Sequence, residues 1–157
     1  MTVTLALLLL SPACPTEDPV RVTVVVVLAT EANDKVDPAL AELAKAVRPH
    51  NRDLKGFRVY ATEEKSVAVG DSATFALVEK QELKVTVTRA KGADGRIALT
   101  LKAPEVEKLT YGCACGKFFP VATPYRTKKG EVLIVAVMGT PCTLGKKHAK
   151  TWFPWPG

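Results

Sequence analysis

The sequence predicts an α+β protein in which one helix packs on a mainly antiparallel β-sheet or sandwich of about seven to nine strands. Two segments, residues 24–28 and 132–138, are apolar throughout, which is typical of strands buried on both faces. A single segment, near residue 40, has the spacing of an amphipathic helix, and several alternating segments lie between it and residue 132. A chain of 157 residues has the length of one domain.

The helix has clear start and stop signals. Asp37 is suited to cap it, Pro38 suits the first helical position, and Pro49 ends it. The apolar residues between these signals recur at i, i+3, i+4 and i+7: Leu40, Leu43, Ala44 and Val47. We therefore expect this helix to lie across the sheet with those four side chains inward.

The segments after the helix indicate β-structure. Short strands are expected at residues 57–61, 67–69 and 74–78, with Glu63 and Glu64 in a solvated turn. The best-defined hairpin pairs residues 83–88 with residues 97–102 across a glycine-containing turn. Another strand is expected at 106–111, and Pro120 within 118–122 predicts an edge strand there.

The N-terminus has the layout of a secretory signal. An apolar run at residues 5–10 is followed by Ser11, Ala13 and Cys14, which predicts a signal peptide at residues 1–13. The same residues loosely match the signal for lipid attachment at Cys14, and they are also compatible with a buried strand. A spacer at 14–19, one α+β domain at 20–142 and a tail at 143–157 would then form an extracytoplasmic protein, in the periplasm, at the cell surface or secreted.

The net charge of +6 comes entirely from the last third of the chain, since residues 111–157 contain seven cations and only one acid, Glu131. Both tryptophans lie in the tail beside lysines, so we consider a surface for a protein partner or for self-association. A solvated face and a tail folded back over the sheet are the alternatives, and no nucleic acid is expected. The candidate contact residues are Tyr125, Arg126, Lys128, Lys129, Lys146, Lys147, Trp152, Phe153 and Trp155.

The four cysteines are the remaining chemical feature, and they suit an oxidising compartment. We expect Cys142 to form a disulfide with Cys113 or Cys115, with Cys14 either lipidated or paired. The alternative is a thiol or metal-binding protein centred on Cys113, Cys115 and Cys142. A single Cys-x-Cys motif is a weak metal signal, so neither a metal nor another cofactor is expected.

No catalytic motif is present: the chain lacks G-x-S-x-G, a phosphate-binding P-loop, G-x-G-x-x-G and H-E-x-x-H. We therefore expect a non-enzymatic extracytoplasmic structural or protein-interaction domain, stabilised by a disulfide and able to self-assemble. An open sheet edge would allow assembly by addition of a neighbour's strand. Membrane association would come only through a lipid on Cys14 or through the aromatic tail.

Overall fold

Eight antiparallel strands form two four-stranded sheets in the computed structural model, which describes residues 19–141 except residues 91 and 93. The α-helix of this region, α1, spans Ala41–Val47 and follows a 3₁₀ turn at Pro38–Leu40. These elements confirm the predicted α+β class. The strands are β1 Val20–Thr30, β2 Gly56–Val67, β3 Ser72–Ala76, β4 Glu82–Arg89, β5 Arg96–Ala103, β6 Val106–Ala114, β7 Phe119–Arg126 and β8 Val132–Pro141.

The two sheets pack face to face as a sandwich. Sheet I has the strand order β2-β1-β8-β7, and sheet II has the order β3-β4-β5-β6. The links from β2 to β3 and from β6 to β7 join the two sheets along their opposite sides. The first residue of β1, Val20, pairs with the last residue of β8, Pro141, and we call this the upper end of the sandwich.

The main core lies between the sheets, and a second core lies under the helix. Alternate residues of β1 and β8 face sheet II, while the residues between them face α1. This arrangement confirms that residues 24–28 and 132–138 belong to central strands buried on both faces. The largest fully buried side chains of the main core include Phe75, Leu28, Leu83, Ile97, Leu99, Leu101 and Leu133.

The helix covers the outer face of sheet I as predicted. Leu40, Leu43 and Val47 are buried in one cluster with Val27 and Ile134 of the central strands. The carboxylate of Asp37 accepts a hydrogen bond from the amide of Ala39 at 3.1 Å, so the predicted cap holds the start of the 3₁₀ turn. No helix in the described part of the chain is long and apolar enough to cross a membrane.

The expectation of two short strands separated by a turn at Glu63 and Glu64 was wrong. One continuous strand, β2, runs through both residues and pairs with the full length of β1. Glu64 forms an ion pair with Arg21 of β1 at 3.2 Å, and Glu63 forms one with Lys65 at 2.9 Å. These cross-strand and same-face ion pairs stabilise charged residues within β2. Because the charged residues interrupt the apolar pattern, hydropathy did not predict β2 as one strand.

Several predictions fall on residues 1–18 and 142–157, which lie outside the described residues. They are the signal peptide, the lipid site and the whole tail. The residues concerned are Cys14, Cys142, Lys146, Lys147, Trp152, Phe153 and Trp155.

The start of β2 gives a direct test of the packing between β2 and the segment before the helix. A Cβ atom added at Gly56 would lie 2.5 Å from Oδ1 and 2.7 Å from the backbone oxygen of Asn33. We expect Gly56→Ala to lower the free energy of unfolding by about 1–3 kcal/mol, because backbone must move to accept the methyl group. Urea denaturation followed by circular dichroism measures this change.

Gly112→Ala is the matched control on β6. Its added Cβ would lie 3.6 Å from the nearest atom, Cδ of Arg96, which is ordinary contact. We expect its free energy of unfolding to stay within about 0.5 kcal/mol of the parent. Equal stability of the two variants would contradict the close approach at Gly56.

Candidate functional site

The edge strands of the two sheets are candidate interaction sites. Sheet I ends in β2 and β7, and sheet II ends in β3 and β6. Alternate residues of an edge strand direct unpaired N–H and C=O groups outward, and these groups pair readily with a strand from another chain. Folded proteins usually protect such edges, so an unprotected one indicates where a partner can bind.

The β2 edge is protected by several features. An isolated bridge joins Val36 to Phe57 and occupies the first part of the strand, and a bulge opposite Val26 and Val27 interrupts its register. Farther along, Lys65 pairs with Val22, a residue that faces sheet II, so the lysine points into the gap between the sheets. Its ammonium lies 5.0 Å from the centroid of the Phe75 ring and closes this side.

The β7 and β3 edges are protected by other means. β7 contains Pro120 and Pro124, which have no N–H group to donate to another strand. β3 has only five residues, too few to offer a long ladder. Neither edge therefore offers a continuous run of backbone donors and acceptors.

The β6 edge shares a register shift with β2 but has no proline and no inward charge. It extends over nine residues, contains no proline, and has Leu109, Tyr111 and Cys113 on the face that packs against sheet I. None of these inward residues is charged, in contrast to Lys65 on β2. The pairing with β5 shifts register only near the lower end, between Leu101 and Ala103. Within the described residues, β6 is thus the long edge open to strand addition.

Tyr111 and Phe119 form an aromatic pair beside this edge. Their rings stack with centroids 4.0 Å apart at an interplanar angle of 30°, and Phe119 is 38% exposed. The Tyr111 hydroxyl is buried and has no hydrogen-bond partner among the described residues. Burial raises the pKa of Tyr111, so the hydroxyl remains a protonated donor in need of an acceptor.

The Cys-x-Cys motif lies at the upper end of β6 and is not oxidised between its own two thiols. The thiol of Cys113 donates to the carbonyl of Ile97 at 3.5 Å, and that of Cys115 donates to Gly95 at 3.3 Å. Both side chains pack against the main core, with Cys113 buried and Cys115 half-buried. No group of three potential metal ligands occurs in the described ranges, and the expected partner, Cys142, lies outside them.

Residues 125–130, which we call the basic hairpin, contain four of the predicted contact residues, and three of these form hydrogen bonds within the fold. The Tyr125 hydroxyl donates to Glu79 at 2.6 Å, and the amide of Lys128 donates to the same carboxylate at 2.8 Å. The guanidinium of Arg126 pairs with Glu31 at 3.1 Å, while Lys129 is exposed. This hairpin lies at the lower end, so β8 separates it from Pro141, the last described residue.

A cleft of about 380 Å³ lies between β2 and the segment before the helix, but its carboxylates are already engaged. Asp37 caps the 3₁₀ turn, and Glu131 accepts two hydrogen bonds from Arg58, at 3.0 and 3.1 Å. Each carboxylate therefore has a structural role. Of the two histidines, His50 is exposed after the helix and His148 lies outside the described residues.

Sequence reasoning missed the importance of β6, Tyr111 and Phe119. The alternation of Leu109, Tyr111 and Cys113 was a usable signal, since it continues the strand beyond residue 111 and places three apolar side chains on one face. The two cysteines were instead interpreted as a metal or disulfide motif, and the strand was predicted to end at residue 111. The missing edge protection becomes visible only when strand order is known.

The Glu79 carboxylate should make stability depend on pH. Its pKa is lowered by the hydrogen bond from Tyr125 and then by that from the Lys128 amide, so protonation opposes both contacts. The stabilisation is therefore complete above the ordinary carboxyl pKa of 4.5 and is lost as the pH falls through the lower folded-state value. We expect the parent to exceed Glu79→Gln in stability at pH 7, and the difference to shrink on acidification.

Urea midpoints measured between pH 7 and pH 3 test this expectation. Glu82→Gln, a change of an exposed carboxylate on the neighbouring strand, is the control for loss of one negative charge. A difference between parent and Glu79→Gln that grows toward low pH would contradict the assigned contacts.

The two cysteines of β6 should differ in reactivity. Burial raises the pKa of Cys113 and also restricts access to it, whereas Cys115 is half-buried at the rim. With Cys14 and Cys142 replaced by serine, we expect iodoacetamide at pH 7.5 to label Cys115 at least tenfold faster than Cys113. Peptide mass mapping over time measures both rates, and equal rates in the folded protein would contradict the placement of Cys113 in the core.

Comparisons of the chain with protein-family models, with curated proteins and with solved structures found no match. Among the sheet edges of the described residues, β6 is the long one without proline or an inward charge.

Proposed function

We propose that this chain is a non-enzymatic protein-interaction domain that assembles by pairing β6 with β6 of a second copy. The observation that carries the proposal is the contrast between β6 and the other three edges, each of which is shortened, interrupted by proline or blocked by an inward charge. Pairing two copies would satisfy the outward backbone groups of both strands at once. A two-fold axis makes such an interface self-complementary.

The sequence of β6 supports a specific register. An antiparallel pair can be centred on Thr110, in the part of β6 above the register shift of the β5–β6 pairing. Leu109 would then oppose Tyr111 of the second copy on the apolar face. Thr110 would face itself, repeating the pair that it already forms with Thr100, where the hydroxyl oxygens are 3.0 Å apart.

The unsatisfied hydroxyl of Tyr111 supports the same edge. A buried donor without an acceptor costs about 1–3 kcal/mol. Tyr111 belongs to β6, so its unsatisfied hydroxyl lies in the strand that would pair. The exposed Phe119 ring, stacked on Tyr111, would provide apolar contact area at the same edge.

The location outside the cytoplasm is part of the proposal and is supported by the sequence alone. The apolar run at residues 5–10 followed by Ser11, Ala13 and Cys14 is the feature that supports export. Assembly through a sheet edge suits a structural role in that setting, where a disulfide from Cys142 to the Cys113-x-Cys115 motif would add stability.

We expect the protein without residues 1–13 to self-associate with a dissociation constant below about 1 mM, equivalent to roughly −4 kcal/mol. Leu109→Lys should weaken association at least tenfold, because it adds to β6 the inward charge that already protects β2. Sedimentation velocity over a range of protein concentrations measures both constants. Circular dichroism of the dilute variant shows whether it is folded.

Thr62→Lys is the control for added charge, since Thr62 is exposed on the already protected β2 edge and the change should leave association unchanged. Gly112→Lys is a second test, and it leaves the core untouched because Gly112 is exposed. In the Thr110-centred register the new lysine would oppose Lys108 of the second copy and should weaken association. A parent protein that stays monomeric at 1 mM, or a Thr62→Lys variant impaired as much as Leu109→Lys, would overturn the proposal.

A further inference from the structure

The outer face of sheet II has a basic concavity that none of the interactions described so far uses. Its volume is about 440 Å³, and it lies at the lower end of β4 and β5. Leu83, Val85 and Leu101 of these strands face the core, so the intervening Lys84 and Lys102 face outward. Lining residues are Thr74, Lys80, Gln81, Glu82, Lys84, Lys102, Ala103 and Pro104.

Two lysines of this concavity repel each other and so lower the stability of the fold. Lys84 and Lys102 are directly opposite each other on β4 and β5, and like charges in that position are destabilising. Neither they nor Lys80 forms an ion pair with any described carboxylate, although Glu82 lines the same concavity. The concavity therefore carries an uncompensated positive charge that an anionic group would neutralise.

The backbone at Lys80 is strained and is fixed through contacts of its neighbour Glu79. Glu79 and Lys80 both have positive φ, 54° and 62°, a region that residues other than glycine rarely adopt. The hydrogen bonds from Tyr125 and Lys128 to the Glu79 carboxylate fix this segment from β7 and the following turn. The rim of the concavity is thus preorganised rather than left to adapt to a ligand.

A row of hydroxyl groups lies next to the lysines on the same face. Ser72, Thr86, Thr100 and Thr110 occupy one register row across all four strands of sheet II. The Ser72 and Thr86 oxygens are 2.7 Å apart, and those of Thr100 and Thr110 are 3.0 Å apart. One hydroxyl of each pair donates to the other, so each pair keeps one free O–H donor and free acceptor lone pairs, which suits a ligand that itself carries many hydroxyl groups.

We propose that the lysine concavity and the adjacent hydroxyl row bind an acidic oligosaccharide. Carboxylate or sulfate groups of the sugar would pair with Lys80, Lys84 and Lys102, and its hydroxyls would bond to the threonine row. A single-stranded nucleic acid fits less well, because its binding sites stack bases on aromatic side chains. Within the described residues, the exposed aromatic side chains, Tyr60 and Phe119, belong to the strands of sheet I.

The test uses the protein without residues 1–13 and isothermal titration at 20 mM salt, where surface attraction is least screened. The probe is a hexasaccharide of galacturonate, with maltohexaose as the neutral comparison and inorganic phosphate and a thymidine oligonucleotide as other anions. We expect binding of the galacturonate only, weakened at least tenfold by Lys84→Gln with Lys102→Gln. Thr86→Val with Thr100→Val should weaken it without any change in charge.

Lys35→Gln with Lys129→Gln is the matched control, since it removes the same charge from exposed positions elsewhere. An equal loss of affinity in this control would show general attraction to a basic protein and overturn the site. Phosphate or oligonucleotide binding as tightly as the hexasaccharide would overturn the carbohydrate assignment, as would a galacturonate that does not bind.

Lys102→Glu separates binding from a structural role. It replaces the like-charge pair by an ion pair with Lys84, so we expect a higher urea midpoint together with at least a tenfold loss of galacturonate affinity. A lower midpoint would show that Lys102 stabilises the fold, and unchanged affinity would place the ligand elsewhere. Either result contradicts the proposal.

Discussion

The burial of β1 and β8 on both faces is the constraint on which the rest of the structure depends. One face of this strand pair packs against sheet II, and the other packs under α1. Each fully buried valine or isoleucine contributes about 1.5–3 kcal/mol relative to exposure, so this pair anchors two cores at once. No charged residue occurs in either strand except Arg21, next to the upper end of β1.

This central pair also explains why the edges differ. Because sheet I has its most apolar strands in the middle, its edge strands can carry charges and prolines without loss of core volume. Sheet II has no such division: β4, β5 and β6 all alternate, with one apolar face toward β1 and β8 and one polar face outward. β6, the last strand of sheet II, therefore has apolar inward residues at an open edge. The outer face of sheet II has polar groups, to which we propose that a ligand binds.

Sequence patterns predicted the elements whose cause is local. The helix around Leu43 follows from its spacing and its cap at Asp37, and the two central strands follow from apolar runs. β2 was missed because its stability comes from partners distant in sequence, such as Arg21 for Glu64. Local patterning does not contain that information.

The candidate sites were less accessible to sequence reasoning for the same reason. Lys84 and Lys102 are eighteen positions apart, and only the register of β4 against β5 makes them neighbours. Tyr125 and Lys128 were predicted to form an exposed contact surface, but Glu79, a residue in the link between β3 and β4, binds both. Strand order and register, rather than residue type, decide which side chains meet.

We propose that β6 is the edge through which two copies pair. Amide hydrogen exchange at single-residue resolution, measured by NMR at low and at high protein concentration, tests it most directly. The account predicts that the β6 amides directed away from β5 exchange rapidly in dilute protein and become protected as concentration rises, while amides of β2 and β7 do not change. Protection that appears at β2 or β7 instead, or outward β6 amides that stay fast at every concentration, would contradict it.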